Sequence, residues 1–121
     1  MSYKFYNANA KDLFVDDCTI RAISLAEDRT WNETYYKLSN LARKKGMMMD
    51  SVQFIEEYLD ERYERVRERE VMSVGDFARK HTKGTYLITM PNHISIIMDG
   101  GFIVDTFDCS NRIMQDAWRV V

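Results

Sequence analysis

The apolar residues of this 121-residue chain change their spacing once, near Gly84, and that change limits the folds open to it. Before it, apolar side chains recur three and four positions apart, as on one face of a helix. After it, β-branched and aromatic residues run in short blocks broken by turn residues, as in strands. Helices first and strands afterwards specify an α+β domain, with N-terminal helices packed on a C-terminal antiparallel sheet.

The helical half divides at its caps. Thr30-Trp31-Asn32-Glu33 is a capping box ahead of Trp31, Tyr35, Leu38, Leu41 and Ala42, and Gly46 stands where a C-terminal cap belongs. A third helix starts at Asp50 or Ser51 and carries Val52, Phe54, Ile55, Tyr58 and Leu59. The mixed-sign run from Asp60 to Glu70 reads as a solvated helix end or an exposed strand. Ser73 to Lys80 is a short capped helix. In the second half Thr85–Met90, His93–Met98 and Phe102–Phe107 are strands, the last two joined by Asp99-Gly100-Gly101. The tail from Arg112 to Val121 is expected to add an edge strand, and residues 3–12 a short strand and a loop. No repeat or linker interrupts the chain, so residues 1–121 are expected to form a single domain.

The earliest helix carries the chemistry. Cys18 opens an apolar segment (Ile20, Ala22, Ile23, Leu25, Ala26) too weakly amphipathic to lie on a surface, and Asp16 or Asp17 can cap its free N–H groups. A thiol in the first turn of a helix feels the positive end of the dipole. It still needs a base, and the base needs a carboxylate or amide behind it. His93 opens a strand and Asp105 lies on the next. With a three-residue loop Met98 pairs with Phe102, Asp105 falls opposite Ser95, and Asp105 shares a face with His93, on its diagonal. A two-residue loop would instead favour Asp108. Arg21 can pair with Asp105 or Asp108 beneath the helix. His81, beside Arg79 and Lys80, reads as solvated, and Cys109 as a structural or incidental thiol. The two cysteines and two histidines lack paired zinc spacing, so no metal and no cofactor are expected.

Cys18, His93 and Asp105 occur in the order of the papain-like cysteine peptidases, which this chain resembles. In that superfamily the cysteine starts a central helix, the histidine begins a strand, and an Asn or Asp on the next strand orients it. Asp105-Thr106-Phe107 is similar to the Asn-Ser-Trp of papain. More narrowly, Asp17 to Ala22, Asp105 to Arg112 and the ending Trp118-Arg119-Val120 resemble small bacteriophage and bacterial proteins of this kind. The resemblance implies a papain-like fold and a Cys18–His93–Asp105 triad acting on a peptide or protein through a thioester. It places the protein in the cytoplasm of a bacterial host. One position departs from the pattern. No Gln lies between Asn7 and Cys18 to donate into an oxyanion hole, and Asp12 stands six residues before the cysteine. Asn7 and Asn9 are the replacement donors to examine. The competing expectation is an inactive papain-like fold that binds a phage or host protein.

Composition narrows the partners. A formal charge of −2 gives no footprint for nucleic acid or an anionic membrane. Two cysteines make no disulfide framework, and Met1 to Tyr6 is too polar for an export signal, so a reducing, intracellular setting is expected.

Overall fold

A computed structural model describes residues 1–121. Ten elements follow in order: β1 (Ser2–Phe5), α1 (Cys18–Glu27), α2 (Trp31–Lys45), α3 (Val52–Arg62), β2 (Glu64–Val66), α4 (Val74–Lys80), β3 (Tyr86–Met90), β4 (His93–Met98), β5 (Phe102–Asp105) and β6 (Asp116–Arg119). The expected α+β class holds. One six-stranded sheet, in the order β1-β5-β4-β3-β6-β2, carries the fold.

Two expectations about that sheet need correction. The sheet is mixed, because β1 runs parallel to β5, with Ser2 beside Phe102 and Phe5 beside Asp105. A strand joined to its neighbour through a whole domain is free of the hairpin constraint that forces antiparallel pairing. The tail strand β6 is also internal, between β3 and β2. What covers it is part of the mixed-sign run, which does end α3 and then form a strand at the sheet edge. Arg65 of β2 bonds Asp60 at 2.7 Å and lies 4.8 Å from the Trp118 ring centroid, while Trp118 Nε1 donates to Asp60 at 2.8 Å. The charged strand therefore lays an arginine stem and guanidinium over an aromatic side chain.

Sheet parity divides the core. Leu87, Ile94, Ile96 and Trp118 pack with Ile20, Ile23, Leu38, Phe54 and Leu59 of α1 to α3. Ile88, Met90, Ile97 and Ile103 pack with Phe77 of α4 and with Cys109 on the other side. The helix caps follow the sequence. Thr30 and Glu33 form the capping box, Gly46 closes α2 in the left-handed region (φ 70°), and the Ser51 and Ser73 hydroxyls cap α3 and α4. The third strand stops two residues short of expectation. The Asp105 carboxylate takes the Thr106 N–H at 2.7 Å, which turns the chain out of the ladder.

Glu27, the last residue of α1, sits where the helix dipole disfavours an anion. It is nevertheless almost buried. Tyr58 and Tyr63 each donate to it at 2.8 Å, and Lys37 approaches at 3.3 Å. Burial pushes its carboxyl up, but the two phenols and Lys37 outweigh this and hold it below its ordinary value. Glu27→Ala strands both hydroxyls, so it is expected to lower stability by about 2–3 kcal/mol, read as a lower urea midpoint at unchanged m-value.

Candidate active site

Cys18 begins α1, as expected, but the helix start is built differently. Asp17 holds the N-cap position, yet its carboxylate makes no cap bond. It accepts instead from Arg21 Nε at 2.8 Å, Asn9 Nδ2 at 2.9 Å and Trp31 Nε1 at 2.9 Å. The expected capping by Asp16 or Asp17 is thereby corrected: Arg21, one turn on, draws the acid away. The N–H groups of Cys18 and Thr19 consequently have no internal acceptor at the mouth of the helix.

The hairpin supplies the other partners. Met98 pairs with Phe102 and Ile97 with Ile103, the register of the three-residue loop, with Gly100 and Gly101 at positive φ. That register sets Ser95 across from Asp105. His93 Nε2 is 2.7 Å from Asp105 Oδ2, and the Ser95 hydroxyl donates to the same oxygen at 2.6 Å. Asp105 Oδ1 accepts from Arg21 at 2.8 Å. Of the two acids weighed against each other, Asp105 is the one on His93. Asp108 is exposed and accepts from Ser110 N in its own loop. The Phe107 ring lies 4.7 Å from the imidazole, at one side of the His93–Asp105 pair.

Cys18 and His93 meet at the floor of one cleft, of about 1110 Å³, between the start of α1 and α3 on one side and the β3–β4 turn and Phe107 on the other. Burial pushes the Cys18 thiol up. The His93 side chain, the Ile94 backbone N–H and the charges of His93 and Arg21 outweigh it and leave the thiol below its ordinary value. Burial pulls His93 down, but Asp105 and Cys18 raise it to about 9. Asp105, against its own burial, is held at about 2 by hydrogen bonds from His93, Ser95 and Arg21. These directions favour a thiolate at Cys18 and an imidazolium at His93, relative to the isolated side chains, with an ionised carboxylate behind them. With Nε2 committed to Asp105, Nδ1 is the nitrogen left to exchange a proton with sulfur.

Neither proposed amide donor reaches this floor. Asn7 Nδ2 donates to the Leu13 carbonyl, and buried Asn9 donates to Asp17 while its oxygen accepts from Lys11 and Leu13 N–H groups. Asp12 is exposed, has φ 56° and does not line the cleft. Asn92 and Gln115 do line it, from segments with no sequence signal for such a role.

Cys109 and His81 are held within the fold, away from the cleft. Cys109 is fully buried beneath Ser95 and Asp105, and burial pushes its thiol to about 11. His81 is not merely solvated: it hydrogen-bonds Glu68 at 2.7 Å and stacks on Phe77, centroids 4.2 Å apart. His93, Asp105 and Cys109 bring ligand atoms within 4.8 Å of one another. Yet His93 and Asp105 at 2.7 Å are hydrogen-bonded, whereas two ligands at about 2.0–2.2 Å from a tetrahedral ion stand roughly 3.3–3.6 Å apart. The cluster is filled by its own hydrogen bonds. No helix is long and apolar enough to cross a membrane. In comparison with known proteins, no family model, curated sequence or solved structure matches this chain.

Proposed function

We propose that the protein is a papain-like thiol hydrolase or acyl transferase that acts on an amide or thioester of a peptide or protein. The observation that carries this reading is the convergence, at the floor of an open cleft, of a helix-opening cysteine and a histidine bonded at 2.7 Å to a buried aspartate. The Cys18 thiolate attacks the carbonyl carbon, and the tetrahedral oxyanion meets the uncapped N–H groups of α1. Collapse breaks the bond to the leaving group, which takes its proton from His93 Nδ1, and leaves a thioester on Cys18. His93 then takes a proton from water, whose oxygen attacks the thioester, and the C–S bond breaks to restore the thiolate. Asp105 holds the imidazole in one tautomer throughout.

A second reading, a papain-like fold kept as a binding module, is favoured by one feature: the loop before Cys18 turns both of its asparagine amides into its own hydrogen bonds. Alkylation separates the two. Iodoacetamide is expected to label Cys18 and spare buried Cys109, with a pH profile lying below that of an ordinary thiol. His93→Ala is expected to move that profile upward and slow labelling at neutral pH about tenfold. A wild-type profile that is ordinary and indifferent to His93→Ala overturns the hydrolase reading. Labelling is followed site by site by peptide mass spectrometry.

A further inference from the structure

The cleft around Cys18 has an unbalanced charge. Asp16 and Asp50 both line it, both are exposed, and neither has an ion-pair partner. Glu56, also in the wall, meets a cation only at 3.7 Å, in Arg65. Arg21 is the one lysine or arginine of the lining, with its guanidinium already committed to Asp17 and Asp105, and the His93 imidazole, the other cationic group there, is committed to Asp105. An anionic substrate would therefore find three carboxylates and no free cation. Between these acids the walls are apolar: Phe14 is 72% exposed, Val52 is 70% exposed, and Ile55 and Phe107 continue the surface inward. Apolar side chains left this open beside a nucleophile mark a surface that something covers.

We infer that the cleft selects a peptide segment carrying lysine or arginine next to an apolar side chain, the cation facing Asp16 and Asp50 and the apolar group covering Phe14 and Val52. The location of the scissile bond rests on the hydrolase reading above; the recognition itself does not. Carboxylates around a low-dielectric cleft raise the local concentration of cations and repel acidic segments. Both effects fade as salt shortens the screening length.

Binding to the Cys18→Ser protein tests this without turnover. Two dye-labelled peptides, identical except for lysine or glutamate beside a leucine, are titrated by fluorescence anisotropy at low and high salt. The lysine peptide is expected to bind tighter, by about two- to fivefold for each carboxylate at low salt, with the preference shrinking at high salt. The double substitution Asp16→Asn and Asp50→Asn, at exposed positions, is expected to remove most of the preference while leaving the glutamate peptide no weaker. Equal affinity for the two peptides, a preference untouched by the double substitution, or no binding of either peptide into the millimolar range overturns the inference. A retained lysine preference beside an ordinary, His93-independent Cys18 profile overturns the hydrolase reading alone and leaves a basic-peptide cleft.

Discussion

Replacing Arg21 with methionine is expected to lower folding stability by about 3–5 kcal/mol, one of the two largest effects anticipated in this protein. The guanidinium joins two carboxylates that are almost sealed from water, Asp17 with 4% and Asp105 with 3% of its side chain exposed. Methionine keeps the stem and its packing but leaves two buried anions facing each other across the vacated charge. Arg21→Lys is expected to fall between, because one ammonium point charge cannot reproduce a planar fork that donates from Nε to one acid and from a terminal nitrogen to the other. Urea unfolding at neutral pH measures both variants. A methionine variant within about 1 kcal/mol of the parent would show that Asp17 and Asp105 are compensated by their other donors, Trp31, Asn9 and Ser95.

The second large effect concerns catalysis. On the proposed hydrolase reading, Asp105→Ala is expected to slow hydrolysis of a peptidyl-lysine aminomethylcoumarin by about 10⁴-fold, comparable with losing the carboxylate of a catalytic triad. Two consequences travel with the lost rate. The imidazole loses the hydrogen bond that fixes its tautomer, and it loses the largest influence holding it at about 9. In the proposed mechanism protonated His93 is the acid that serves the leaving group, so wild-type rate is expected to fall as pH rises through about 9. In the variant that alkaline limb moves to lower pH, because the folded-state value drops once the neighbouring anion is gone. Ser95→Ala removes only one of the donors to Asp105, so it is expected to cost far less rate and to keep the limb near its place. A variant that loses rate with no movement of the limb would assign Asp105 a purely structural role. Circular dichroism of Asp105→Ala guards against reading misfolding as lost chemistry, since Arg21 then carries an unpaired buried charge on that side.

The elements themselves were legible because each is announced locally. Ser51, Thr30 and Gly46 mark helix ends through hydrogen bonds to residues three or four away, and the glycines after Asp99 set the β4–β5 register through their own backbone freedom. That register alone put His93 and Asp105 on one face. Both errors in the sheet came from pairings with no local announcement. Nothing in Ser2–Phe5 says that it will lie beside β5, and nothing in Glu64–Val66 says that it will shield β6.

The candidate site divides in the same way. Cys18 at a helix start, and an imidazole next to an acid on a hairpin, follow from the apolar run after the cysteine and from strand alternation, which act over a few residues. The fate of Asp17 does not. Immediately before the helix it had every local reason to cap N–H groups, and only the arrival of Arg21, Asn9 and Trp31 from three directions turned it inward. The sequence by itself thus determined the elements, the hairpin register and the identity of the three candidate catalytic side chains. Tertiary structure decided that the helix mouth stays open, that Arg21 ties the cap acid to Asp105, and which carboxylates are left facing the cleft. Those outcomes depend on distances between residues far apart in the chain, which no local pattern encodes.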